Sequence, residues 1–272
     1  EDGLWIMGSC GLEGLLQDYS LGKISLDKLN SETRAMEARN TDWFKILFRN
    51  AYTQTHNLSI SGGSEKTDYY ISLGYNGEEG VDKSTDYKNY NGMIKVNTEL
   101  FKGINISTLL QMSRRDRENH HGSIDPFEYA VQTSRTIPVR NEDGLYYYKN
   151  GTLLFNVLNE LDNTHSESSE TDIKGIVDLS VKLYKGLKYK GLYSYSSSHS
   201  SAIDYATEYS YFTAGIRGYD YGNTSDEELV KKTSLPNGGV YDETNYEQRN
   251  SLIRNSLEYR GELARDLSID VM

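Results

Sequence analysis

The sequence has few of the residues that staple a chain. Cys10 is the only cysteine, and there are three prolines in 272 residues. No internal disulfide can form, and no cysteine set can hold zinc. Long apolar runs are missing too: no segment approaches the ~18 consecutive apolar residues of a membrane-spanning helix. The N-terminus "EDGLWIMGSC" lacks the basic start of a signal peptide. The expectation is either a protein that is not exported or an internal piece of a longer precursor.

Positive charge is also short. Lys and Arg number 29 against 40 Asp and Glu, a net charge of −11. That balance disfavours a phosphate backbone as the main partner, so nucleic acid is excluded as an expectation. The apolar share is 36%, below the ~45–50% usual for soluble domains. A single soluble core would be poorly supplied. Yet 23 tyrosines and repeated β-patterned runs are not the composition of a chain unable to bury apolar surface.

What is present is pattern. The stretch "ISLDKLNSETRAMEARNTDWFKILFRN" places Ile24, Leu26, Leu29, Met36, Trp43, Phe44, Leu47 and Phe48 at loosely helical spacing, which predicts one or two short helices. From His56 onward the period is two. In "TDYYISLGYNGEEG" Tyr69, Ile71, Leu73 and Tyr75 share one face, with Tyr70, Ser72, Gly74 and Asn76 behind them. Alternation recurs over 90–100, 104–112, 173–183, 187–195, 253–259 and 267–271, predicting about eight strands.

The connections alternate in length. "GGSEK", "FKG", "YKG" and "GELARD" are tight, whereas "GEEGVDKSTDYK" and the spans at about 114–172 and 197–247 are long. Tight turns at one end and extended loops at the other mark an outer-membrane barrel; connections of that length count against a compact soluble domain. The expected fold is all-β: an antiparallel meander forming part of a transmembrane outer-membrane β-barrel, with a short helical N-terminal segment. Tyr69, Ile71, Leu73 and Tyr75 then face lipid, tyrosine hydroxyls at headgroup level. Lys95, Glu99, Asp178, Lys182, Arg254 and Glu258 fall on the opposite, aqueous face. Asn255 would face outward and is expected only near the membrane boundary.

The residues "NTDWFKILFRNAYTQTHNLSISGGSEKTDYYISLGYNGEEG", Asn40 to Gly80, resemble the SusC/RagA family of TonB-dependent outer-membrane transporters. The resemblance continues through "DYKNYNGMIKVNTEL" and "RNSLIRNSLEYRGELARDLSIDVM". It implies a many-stranded plugged barrel in the outer membrane of a Gram-negative cell. It further implies uptake of oligosaccharides or peptides powered by the TonB complex, and a SusD-like surface lipoprotein as lid. Neither a plug nor a TonB-box segment is recognisable. The chain therefore reads as a fragment, with residues 1–50 as the plug-to-barrel connection and 51–272 as partial barrel. The competing expectation is a soluble or surface-attached β-rich carbohydrate-binding module.

Aromatic clusters in the long loops are the candidate substrate contacts: Tyr146, Tyr147 and Tyr148, then Tyr205, Tyr209, Tyr211 and Phe212. Their faces could stack on sugar rings or pack against peptide side chains. "DYGNTSDEE", Asp220 to Glu228, is oxygen-rich but lacks EF-hand spacing. His120-His121 has no third ligand placed by the sequence, so no metal and no cofactor are expected. No nucleophile elbow, Walker loop, dinucleotide fingerprint or H-E-x-x-H occurs, and no enzyme is expected.

Overall fold

The computed structural model describes residues 11–148, 153–184, 186–222, 227–264 and 267–271. Cys10 and the middle of the oxygen-rich loop lie outside the described residues. Three helices come first: α1 (Leu12–Ser20), α2 (Leu26–Ala38) and α3 (Trp43–Leu47). Ser25 caps α2 by accepting from the Lys28 N–H, and Asp42 caps α3 through Lys45. Helix α1 lies upstream of the stretch with readable helical spacing.

Eight strands follow in one antiparallel sheet whose spatial order is the chain order. They are β1 (Tyr52–Gly63), β2 (Thr67–Glu79), β3 (Asp86–Phe101), β4 (Ile104–Asn119), β5 (Thr164–Tyr184), β6 (Leu187–Ala206), β7 (Val240–Ala264) and β8 (Leu267–Val271). Among the described residues no register joins β1 to β8, so the described sheet is open. The β4–β5 connection carries α4 (Pro126–Gln132) and α5 (Val157–Asn163). The β6–β7 connection carries α6 (Tyr211–Arg217) and α7 (Glu227–Lys232).

The strands are longer than the alternation in the sequence suggested. Strand β4 runs on to Asn119 and β5 begins at Thr164, so the loop expected at 114–172 is 120–163. The loop expected at 197–247 is likewise 207–239, and the first spacer shrinks to 80–85. The cause is physical. Runs such as Arg114–Glu118, Ser196–Ser201 and Glu243–Arg249 are polar on both faces, and period two is visible only where one face is apolar.

Register shows which side chains share a face. Directly opposed residues lie on the same side, and one row reads Ile60, Ile71, Ile94, Leu110, Gly175, Tyr195. The next row reads Leu58, Leu73, Gly92, Met112, Ile173. Tyr69, Ile71, Leu73 and Tyr75 thus belong to one continuous apolar face, the outward one. Leu73 is 59% exposed and Ile253 70%. Such a sheet of bared apolar side chains needs lipid or a partner against it. The inner face is largely polar, with Leu109, Ile176 and Leu252 in one of its rows; on it Asn97 donates to Asp68 at 2.6 Å, Ser107 to Asn97 at 2.6 Å, and Lys190 pairs with Glu258 at 2.5 Å.

The apolar run also moves along the strands. It spans Tyr69–Tyr75 on β2 and Ile253–Tyr259 on β7. The row Tyr69, Val96, Thr108, Val177, Tyr193, Ile253 sets the bottom of the first against the top of the last. That is six residues in five strand steps, roughly 20 Å along against roughly 24 Å across. The strands are therefore tilted by about 40° from the normal to the band, the tilt of a closed barrel. Tyrosines lie over glycines at its boundaries. A Cβ on Gly62 would come within 2.7 Å of the Tyr69 hydroxyl, and one on Gly191 within 2.9 Å of that of Tyr189. The Tyr189 hydroxyl continues to Asn255 Oδ1 at 2.6 Å, which supplies the outward Asn255 with a partner near the short-turn end.

The densest packing is off the sheet. Trp43, Leu47, Ile124, Tyr129, Ala130, Phe155 and Val157 form the buried cluster, built from α3 and the β4–β5 connection. All the long connections leave the same end of the sheet, and β1 begins at that end. The helices expected to link plug to barrel therefore stand with the long loops. Among the described residues no helix is long and apolar enough to cross a membrane.

Candidate functional site

The long connections fold into one cap. Asp125 caps α4 with Pro126 at its first position, Asn156 caps α5, and Ser210 caps α6, which ends at Gly218 with φ 89. Aromatic edges chain the helices together. Trp43 meets Tyr129 edge-on at 5.2 Å, and Phe155 meets Tyr211 at 5.1 Å. The Trp43 indole donates to Ser134 O at 3.2 Å, and Thr41 N to Arg135 O at 2.9 Å, tying α3 to the β4–β5 connection.

Glu160 couples the two large loops. Only 1% exposed, it accepts the Tyr211 N–H at 2.6 Å, the Phe212 N–H at 3.1 Å and the Ser123 hydroxyl at 3.3 Å. Burial raises its pKa, while these donors pull it back down. The carboxylate sits at the N-terminus of α6, where the free N–H groups favour negative charge. Arg217 is also 1% exposed and donates to the carbonyls of Leu235, Glu208 and Gly238. Asn159 Nδ2 to Tyr209 O at 3.0 Å and Thr207 N to Asn163 O at 2.8 Å complete the join.

The expected contact residues divide. Tyr211 and Phe212 are structural: Tyr211 packs on Phe155, Phe212 on His121 at 4.8 Å, and both cap through Glu160. Tyr205 has the parity of Tyr193 and Tyr195, lies tilted against His165 with ring centroids 5.4 Å apart, and so faces outward, away from a lumen. Tyr147 is half-buried, its carbonyl accepting from Asn156 Nδ2 at 2.8 Å. Tyr146 donates to Asp162 at 2.6 Å beneath Arg140, 4.5 Å from its ring centroid, and its pKa is raised by that hydrogen bond. Burial raises the Tyr148 pKa, with Asp220 adding to it. Tyr209 is 58% exposed and meets Tyr221 edge-on at 4.9 Å.

Tyr221 and the buried Arg217, 5.4 Å beneath its ring, escaped the sequence reading. The signal was the spacing of "RGYDYG" after a Ser-capped turn, too short a helix to show periodicity. Asp220 accepts the Leu154 N–H at 3.2 Å, so the described part of the oxygen-rich loop is engaged in loop joining. His121 Nδ1 accepts the Ser123 N–H at 3.1 Å within its own turn. Among the described residues no three His, Cys, Asp or Glu side chains are placed to hold a metal. The cap offers exposed tyrosines on a rigid support: a surface for stacking and hydrogen bonding.

No protein-family profile matches the chain. Individual proteins do. TonB-dependent receptor P26 of Formosa agariphila is 31% identical over 107 residues, 39% of this chain and 10% of that protein. TonB-dependent receptor SusC of Bacteroides thetaiotaomicron is 27% identical over 46% of this chain and 12% of its own length. Structures of the RagAB peptide transporter align over 84% of this chain and 24% of theirs, with a TM-score of 0.58 and 20% identity. The chain thus spans between 10% and 24% of the length of these relatives. With the outward apolar face, the tilt and the tight-turn end, these likenesses identify the chain as a segment of the barrel of a TonB-dependent outer-membrane receptor of the SusC/RagA kind.

Proposed function

We propose that, within its parent protein, this segment forms wall and vestibule of an importer for oligosaccharides or peptides, driven by the TonB complex and lidded by a SusD-like lipoprotein. The observation that carries the reading is the outward apolar face, drifting across six strands at the tilt of a closed membrane barrel. The RagAB structures are named for a peptide transporter, and SusC is named as a TonB-dependent receptor; both support import. Tyr146, Tyr148 and Tyr209, with Tyr221, are the side chains on this cap suited to meet cargo. Residues 11–51 act as an extracellular connection in place of a link from the plug.

The test uses the full-length protein. Its gel mobility is compared with and without boiling, and uptake of labelled oligopeptides and oligosaccharides is measured with TonB present or deleted. Faster migration unboiled and TonB-dependent uptake of one cargo class are expected. Recovery as a soluble protein without a heat-dependent shift would overturn the reading in favour of a soluble binding module.

A further inference from the structure

Gly92 on β3 lies on the outward face, between Leu73 and Met112 in one cross-strand row. Its backbone does not demand glycine. A Cβ there would meet only Leu73 Cδ2, at an ordinary 3.5 Å, and Ser72 O farther off at 3.9 Å. What the missing side chain leaves is an apolar groove of about 510 Å³, walled by Leu58, Leu73, Tyr75, Tyr90 and Met112. Directly above it, toward the long loops, a polar cleft of about 390 Å³ carries Lys88, Arg114, Asp116 and Glu118. The two share Tyr90 and Arg114, so they are one continuous feature.

Its charges are graded outward, with Asp116 opposite Lys88 in the nearer rows. Lys88 and Arg114 are the first charged outward positions above the apolar run on β3 and β4. Lys88 is exposed and has no ion-pair partner among the described residues. Arg114 pairs with Asp116 at 3.0 Å, but at 58% side-chain exposure such a pair holds weakly and can be shared. One row farther out, Glu79, Asp86, Glu118 and Glu167 oppose one another on four adjacent strands. Like charges so placed repel; Arg49 reaches two of them, at 2.6 Å from Asp86 and 4.0 Å from Glu79, and His165 Nε2 lies 3.5 Å from Glu167. No three of these groups converge to hold a cation by themselves.

We propose that this groove and cleft bind one phosphorylated lipid of the outer leaflet: an acyl chain over Gly92, and the phosphate on Lys88 and Arg114. Divalent counter-ions are shared between the phosphate and the acidic row. The inference rests on the membrane reading above. Arg and Lys complement phosphate, the apolar groove complements the chain, and their order along β3 and β4 matches the order of tail and headgroup from the membrane outward. A free phosphate would leave the groove unused.

The test is lipid phosphorus retained by the detergent-purified full-length protein, re-offered lipid A or its dephosphorylated form in mixed micelles. Wild type should retain lipid A over the dephosphorylated form. K88Q and R114Q should each weaken retention about fivefold, and Gly92→Phe, which fills the groove from the lipid side, should lower it with both charges intact. The inner-face variant K174Q should retain as wild type does. Equal retention by all variants would overturn the site, as would displacement of the lipid by inorganic phosphate alone. The heat-dependent mobility shift is read on every sample. Its loss in wild type would instead overturn the membrane reading.

Discussion

Glu160 holds two loops together with three hydrogen bonds and, among the described residues, no cation paired with it. Its carboxyl is raised above the ordinary range by burial, so the folded cap keeps the proton at pH values where the unfolded chain has released it. Stability from this group is therefore fully present below the unfolded value and falls as pH rises through the raised one. The stability of wild type relative to E160Q, measured by limited proteolysis of the cap, should decrease as pH rises through that window and be level above it. A difference independent of pH would sink the assignment. Trp43 is the other residue on which the cap depends. At 2% exposure, Trp43→Ala should cost about 3–5 kcal/mol and open the cap to protease while the barrel keeps its heat-dependent shift. These roles were not readable beforehand. The aromatic cluster 205–212 was visible as composition, but parity turned Tyr205 outward, and the α6 N-terminus turned Tyr211 and Phe212 onto Glu160. Both depend on where β6 ends, and the run Ser196–Ser201 that leads there is polar on both faces.

Strands were legible where they cross the apolar layer and illegible beyond it. Ile71, Leu73, Ile94 and Leu110 recur at every second position on one apolar face, and that period is what makes their strands readable. Arg115 to Asn119 and Ser166 to Glu170 form an equally regular ladder of polar side chains on both faces, and carry no such record. The helices α4 to α7 escaped for a related reason: at six or seven residues each, they are too short to show a 3.6-residue period, and their caps, not their faces, define them. The two-faced reading has a sharp test on adjacent residues of β3. Ile94→Arg places a charge in the outward band and should cost about 2–4 kcal/mol of folding stability in lipid vesicles. Met93→Arg, one residue away on the inner face, should cost little. Equal costs would mean that the outward face does not meet lipid.

At the scale of the whole molecule, the placement of residues 11–51 follows from one connection. A tight turn, 64–66, follows β1, so β1 must begin at the opposite end, where the long loops gather. That inference needed only the loop lengths. The family resemblance pointed instead to a plug link, because a barrel segment without a recognisable plug invites one upstream. The packing agrees with the loop lengths: Trp43 and Leu47 are buried in the same cluster as Tyr129, Phe155 and Val157 of the β4–β5 connection. If that end is extracellular, a Cys introduced at Glu37, exposed on α2, in a Cys10→Ser background of the full-length protein should be labelled on intact cells by a membrane-impermeant maleimide. A Cys at Lys66, exposed in the tight turn, should be labelled only after the outer membrane is permeabilised. The reverse pattern would return residues 11–51 to the periplasmic side. It would also invert the sheet, because both positions are tied to the same β1 and cannot be moved independently.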